Sequence, residues 1–210
     1  MSVVGPSFRL PGIIWGAASQ AIAGEAISGD AYLVTRTANG VLLAVVDGLG
    51  HGKEAASAAA SAVDALSADP NRGAERLIEC CHHALEGTRW AVMSLALIDT
   101  AASSMTWLGV GNVTAALVRV DPSEGGVVDL LTVRGGVVGS HLPLLRSSQR
   151  ELRPDDLLLF ATDGISERFA DNPPRAGDPY RLAAWILAEY RGSTDDDALV
   201  LAARFLGPPP

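Results

Sequence analysis

The chain has 210 residues, 48% hydrophobic and 19% charged, with 16 Lys and Arg against 24 Asp and Glu for a formal net charge of −8. That length and composition suit one well-buried core, expected as a single domain over 1–206, and exclude a disordered chain. The acidic balance, with no basic run to offset it locally, argues against nucleic acid as a partner.

Met1–Pro11 has no charged segment leading into an apolar one, so no secretion signal is read there. Apolar stretches farther on are short and broken by Gly, Asp or Arg, too short to span a bilayer. The expectation is a soluble, cytoplasmic protein that makes no membrane contact. Ile13–Ser19, Tyr32–Thr35 and Val41–Val46 are β-branched or apolar runs bounded by Gly and Asp, and predict strands. Lys53–Ala68 is alanine-rich and free of proline, which predicts a helix; a second is expected from Gly73 to Leu85. Strand character returns at Val92–Asp99, Met105–Val110 and Val113–Val120, divided by the turn-prone Ala101–Ser104 and Gly111-Asn112. Val127–Val133 and Asp156–Ala161 predict further strands, Tyr180–Tyr190 a helix and Ala198–Phe205 a last strand. Blocks of strands with few helices predict an α+β fold, a layered antiparallel β-sandwich flanked by α-helices. Residues 207–210, Gly-Pro-Pro-Pro, are expected to form a disordered tail.

The two cysteines, Cys80 and Cys81, are adjacent and followed by His82 and His83. Neighbours on a helix point about 100° apart, so this run cannot close on one tetrahedral ion. Ala74, Leu77, Ile78, Cys81 and Leu85 recur at helical spacing, which places Cys81 in a core stripe.

The chemistry lies where acidic residues interrupt the apolar strands. Val45-Val46-Asp47-Gly48 puts a carboxylate directly after a buried strand, and Phe160-Ala161-Thr162-Asp163-Gly164 repeats the pattern. Ser28-Gly29-Asp30 precedes one strand and Asp195-Asp196-Asp197 another. A single Asp-Gly reads as a turn. Several unpaired carboxylates converging at strand ends are costly unless a cation compensates them, and form an oxygen-rich site for Mg²⁺ or Mn²⁺. Gly111-Asn112 suits a hairpin turn. Arg89 either touches substrate or caps the preceding helix.

In order and spacing, Ser28–Asp30, Asp47–Gly52 (Asp-Gly-Leu-Gly-His-Gly), Gly109–Asn112, Ala161–Gly164 and Asp196–Ala198 resemble the boxes of the type-2C (PPM) metal-dependent protein serine/threonine phosphatases. The resemblance is to the bacterial sporulation-stage-II-E branch and runs over about residues 25 to 204. Leu85–Arg89, Val110–Val113 and Arg134–Gly139 are similar to the feedback phosphatases of the stressosome pathway.

The resemblance implies the PPM-type fold and two divalent cations, Mn²⁺ or Mg²⁺. Asp47 would bridge both, with the Gly48 carbonyl as a further ligand. Asp163 and Asp196 would complete the ligands of the first cation, and Asp30 would act through metal-bound water. These four aspartates would carry catalysis, a water made acidic by the cations attacking phosphoserine or phosphothreonine in line. The implied substrate is a phosphorylated regulatory protein, of the stressosome-scaffold or anti-sigma-antagonist type. Its contact loop is expected at Glu167–Tyr180, just after Asp163.

The chain departs from the family in three places. Leu49 stands where eukaryotic relatives carry a histidine, and His51, two residues on, reads as a turn residue rather than a general acid. No arginine near Asp30 matches the phosphate-gripping one. Asp195, Asp196 and Asp197 leave the register of the last ligand open by one, with Asp196 preferred. Two rival readings are a non-catalytic family member acting as a protein-binding module, and an ATP-binding kinase of the anti-sigma type. The kinase reading requires a helix upstream of Asp47.

Overall fold

The structure is a computed structural model and describes residues 6–119, 127–174, 176–192 and 195–208. Among these described residues, eleven strands form two antiparallel sheets. The five-stranded sheet runs β3 (Asp30–Thr37), β4 (Gly40–Gly48), β5 (Ala91–Asp99), β6 (Ser104–Val110) and β9 (Ser148–Glu151). The six-stranded sheet is ordered β1 (Phe8–Leu10), β2 (Ile13–Gln20), β11 (Ala198–Phe205), β10 (Leu157–Ala161), β7 (Thr114–Arg119) and β8 (Val127–Leu131). Helices α1 (Gly52–Ala68) and α2 (Ala74–Ala84) cover the five-stranded sheet, and α3 (Pro179–Tyr190) covers the other.

This four-layer stack explains why the central strands are apolar throughout. In β4, Val41, Leu43 and Val45 face the core between the sheets, while Leu42, Ala44 and Val46 face α1 and α2. In β10, Leu158 and Phe160 face the inter-sheet core, and Leu157, Leu159 and Ala161 face α3. In β11, Leu199, Leu201, Ala203 and Phe205 take the inner face. Side chains alternate strictly along a strand. Continuing that alternation places Asp47, Thr162 and Asp197 at one end of the inter-sheet core, where all three strands run out.

Helix α1 buries Ala55, Ala58, Ala59, Ala62 and Leu66, a stripe of small residues that lets its backbone lie close to the sheet. Cys81 is fully buried in the matching stripe of α2, with Ala74, Leu77 and Ile78. Both cysteines are free. Desolvation, with a smaller contribution from Cys80, pushes the Cys81 thiol up to about 12. His82 accepts the Gly139 N–H at 2.9 Å and His83 pairs with Glu86 at 3.1 Å, so the run serves helix packing as expected.

The structure adds two edge strands. β1 is three residues long and mostly exposed, and β9 reads Ser-Gln-Arg-Glu, without an apolar residue to mark it. Several boundaries shift. β3 begins at Asp30, β8 ends at Leu131, and Asp156 stands just before β10. Val120 of the expected Val113–Val120 strand lies outside the described residues. The expected tail packs farther than anticipated. Gly207 is buried, and the Leu206 N–H donates to Gly12 O at 2.7 Å; 209–210 fall outside the described residues. No helix among the described residues is long and apolar enough to cross a membrane.

Candidate active site

The end of the sandwich is built around two carboxylates that the sheet sets face to face. Asp30 and Asp47 are direct partners in the β3–β4 ladder, so both side chains point to the same face. Like charges so placed repel. Burial, then the charges of Asp30, Asp163, Asp196 and Asp197, pushes Asp47 from the ordinary 3.8 to about 8. No donor or cation is among the influences on it. Burial likewise pushes Asp30 up to about 7, with Asp197, Asp163 and Asp196 adding to it and one hydrogen bond opposing.

That hydrogen bond joins the sheets. Thr162 Oγ1 donates to Asp30 Oδ2 at 2.8 Å and accepts the Leu199 N–H at 2.9 Å, fixing Asp30 of one sheet to β11 of the other. Asp197 makes a second tie. Only 3% exposed, it accepts Ile22 N–H at 2.8 Å and Gly29 N–H at 2.7 Å, which holds the segment entering β3. Arg191 secures the same end within the six-stranded sheet, donating to the Asp196 carbonyl at 3.0 Å and to the carbonyls of Gln20 and Ala21 at 3.4 Å.

The three consecutive aspartates are therefore divided by environment. Asp197 is buried and saturated by backbone, whereas Asp195 and Asp196 line a cleft of about 400 Å³. Asp47 and Asp163 line the same cleft, with Leu49, Gly50, His51, Val92 and Asn112. Asp196 is raised by burial and by Asp163, opposed by the Asp197 N–H and by His51. Asp30 lies behind this lining, and Gly48 is buried with its N–H on Gly29 O at 3.1 Å.

Neither glycine of the two Asp-Gly pairs needs a left-handed backbone. Each is there for space. A Cβ on Gly48 would collide with the Ala55 carbonyl of α1, and one on Gly164 with the Asp197 carbonyl. The pattern that resembles a turn in sequence is thus a pair of close backbone approaches.

Two residues depart from their expected places. Arg89 does not cap α2; its Nε donates to Glu54 Oε2 in the first turn of α1 at 2.8 Å, and the guanidinium lies across Gly50. Asn112 follows a true turn, with Gly111 at φ +99°, but its Nδ2 also donates to Asp163 Oδ2 at 2.8 Å. Sequence reading placed Asn112 in a turn and within a box resembling the phosphatase family, but gave its side chain no role. His51 precedes α1 without capping it through its side chain, and leans toward Glu25 at 3.5 Å. The expected contact loop begins with a 3-10 turn, Glu167–Ala170, whose Phe169 and Ala170 are buried under α3. Arg175 of that loop lies outside the described residues.

Among the described residues no group of three His, Cys, Asp or Glu side chains is already gathered as a metal cage. In this arrangement Asp163 is held by Asn112 instead. The donor set nevertheless fits a hard divalent cation: four carboxylates, Asp47, Asp163, Asp195 and Asp196, share the cleft, none of its lining residues is Lys or Arg, and Asp47 is left uncompensated.

Two antiparallel sheets between helical layers, with an acidic cleft at one end, define a phosphatase fold of the PP2C class. The PP2C domain of the cell-fate determinant SpoIIE from Bacillus subtilis superposes with a TM-score of 0.78 at 21% identity, over 98% of this chain and 66% of that one. The chain belongs to the stage II sporulation protein E (SpoIIE) family, whose model matches residues 37–206. A solved chain from work on the bacterial stressosome, described as a modular system adapted to control secondary messenger signalling, is 31% identical; it has a TM-score of 0.82 and coverage of 91% and 99% of the two chains. RsbX in complex with magnesium gives a TM-score of 0.80 at 22% identity, over 95% of this chain and 98% of that one. In sequence, the phosphoserine phosphatase RsbX of Bacillus subtilis (strain 168) is 31% identical over 90 residues, 43% of this chain and 45% of that protein. The match thus spans about half the length of that curated relative.

Proposed function

We propose that this chain is a divalent-metal-dependent protein serine/threonine phosphatase acting on a phosphorylated regulatory protein of a bacterial stress-signalling pathway. The observation that carries the reading is the uncompensated carboxylate cluster, with Asp47, Asp163 and Asp196 on one cleft in a SpoIIE-family chain. A non-catalytic binding module has no use for such mutual repulsion at the end of its core. The kinase reading lacks its upstream helix, since every regular element described before Asp47 is a strand.

Asp47, Asp163 and Asp196 would hold two cations, Mn²⁺ or Mg²⁺, with the Gly48 carbonyl as a further oxygen and Asp30 acting through water. When bound, such cations supply Lewis acidity, drawing charge from phosphoryl oxygens and making a neighbouring water more acidic. The remaining work belongs to the chain. Thr162 keeps Asp30 oriented with one carboxylate oxygen committed, so the other is left to accept from water. Asn112 orients Asp163 through its amide. Gly50 and His51 bring the start of α1 to the cleft, where the positive end of the helix favours a phosphate dianion.

Relatives named RsbX and a stressosome-derived structure support a partner-switching or stressosome phosphoprotein as substrate, and so a cytoplasmic site of action. The test is hydrolysis of a phosphoserine peptide by purified protein with Mn²⁺, with and without chelator. Turnover abolished by chelator and restored by Mn²⁺ is expected; absence of turnover with either metal would refute the proposal.

A further inference from the structure

Outside the cleft, the most unusual collection of side chains is basic. Although the net charge is −8, Arg134, Arg146 and Arg150 line one groove of about 260 Å³, with Thr132, Ser147 and Ser148 beside them. Arg150 is satisfied, donating to Asp129 at 2.7 Å and to the Gln149 carbonyl at 3.0 Å. Arg134 and Arg146 are exposed, and their guanidiniums have no acceptor among the described residues. The acidic groups nearby are already engaged: Asp129 by Arg150, and Glu75 by the Ser147 N–H at 2.8 Å, which holds its carboxyl below the usual range.

The groove has a fixed frame. Arg134 N–H donates to Gly109 O at 3.0 Å and its carbonyl accepts Gly111 N–H at 2.8 Å, while Ser148 pairs with Trp107 in the β6–β9 ladder. The same stretch leads to the cleft. Gly109 lines the groove, and Asn112, three residues on, lines the cleft and holds Asp163. Three residues of chain span at most roughly 10 Å, so a peptide with its phosphate in the cleft needs only a few residues to reach the arginines.

We propose that the Arg134–Arg146–Arg150 groove is an exosite that takes an acidic segment of the phosphoprotein substrate. The word substrate rests on the phosphatase reading above; the anion site itself does not. Planar guanidiniums pair with successive carboxylates. A single free phosphate would gain little from exposed donors, and a nucleic acid would be repelled by the rest of an acidic surface. Exposed ion pairs are individually weak, so the groove adds selectivity and speeds encounter rather than dominating affinity.

The experiment compares wild type with the double variant Arg134→Ala/Arg146→Ala and with Arg134→Lys/Arg146→Lys. Substrates are phosphorylated casein, a phosphoserine peptide of basic sequence, and p-nitrophenyl phosphate, each with Mn²⁺. The alanine variant should lose about ten-fold in kcat/KM on casein, mainly through KM, with the other two substrates unchanged. The lysine variant should recover much of that loss, and raised salt should erase the difference. Binding of labelled hexaglutamate, followed by anisotropy, should weaken in the alanine variant to the same degree. An equal effect on all three substrates, or none on casein, overturns the exosite. So does displacement of hexaglutamate by inorganic phosphate at equal charge concentration, which would mark a simple anion site. If wild type hydrolyses none of the substrates, the phosphatase reading has failed, and the hexaglutamate result alone decides whether the groove binds acidic segments.

Discussion

Asp47 and Asp197 occupy equivalent places, each on the inner face of a strand where the inter-sheet core ends, yet they live in opposite electrostatic worlds. Asp197 is 3% exposed and carries two backbone N–H bonds, at 2.8 and 2.7 Å. Asp47 is more open, has none, and is pushed to about 8 by burial and four other carboxylates. The fold spends its donors on one aspartate and withholds them from the other. A buried carboxylate saturated by backbone fixes structure; one left without donors awaits a cation.

The sharpest way to break this comparison is to neutralise each residue in turn. Asp47→Asn should lower metal-dependent hydrolysis well beyond the roughly 10–100-fold typical of outer-shell changes, while the metal-free protein melts no lower than wild type. Asp197→Asn should do the reverse. An amide cannot accept from both Ile22 and Gly29, so stability should fall by about 1–3 kcal/mol in denaturant titration. Near-wild-type activity in Asp47→Asn, or undiminished stability in Asp197→Asn, would erase the distinction.

The second test is pH. Asp30 and Asp47 have folded values of about 7 and about 8, above the ordinary 3.8. The folded state therefore binds protons that the unfolded chain has released, and stability falls as pH rises between about 4 and 8. Thermal melts of chelator-treated protein should show a lower Tm at pH 8 than at pH 5. Mn²⁺ should raise Tm more at pH 8 than at pH 5, because fewer protons then compete with it for the two carboxylates. A Tm that climbs across this window without metal would contradict the uncompensated cluster.

How much of this was legible in the sequence follows from the same contrast. The long central strands could be read because burial on both faces makes them apolar throughout, as in β4 and β10. Asp30, Asp47, Asp163 and Asp196 stood out because each interrupts or flanks such a run. β9 could not be read, because an edge strand of Ser-Gln-Arg-Glu is held by backbone pairing to β6 rather than by apolar side chains. The structural ties made by Asp197, which the sequence left open only as an alternative ligand, and by Thr162 went unread for a related reason. Their partners, Gly29 and Asp30, lie 168 and 132 residues away, and no local spacing encodes a bond of that range. Arg89 pairs with Glu54 across 35 residues, which a helix-capping expectation could not anticipate.

A smaller effect is expected at Thr162, the link between the two sheets. Thr162→Val keeps the shape but removes the donor to Asp30 and the acceptor for Leu199 N–H. Stability should drop by about 1–3 kcal/mol, since a buried N–H loses its partner. Hydrolysis should fall roughly 10–100-fold, through an Asp30 no longer held in one orientation. Thr162→Ser, which retains the hydroxyl, should recover most of the lost activity; equal losses in both variants would assign Thr162 to packing alone.

The smallest effect is expected at His51. Its ring lines the cleft, but it is 58% exposed and leans toward Glu25 at 3.5 Å. A general acid must sit within hydrogen-bond reach of the leaving oxygen, and removing one typically costs about 10²–10⁴-fold. An exposed ring held loosely by a carboxylate outside the cleft lining has no such fixed aim. His51→Ala should therefore keep turnover within about threefold, with the acid limb of the pH-rate profile intact. A fall of about 10² or more with unchanged metal affinity would make His51 the proton donor.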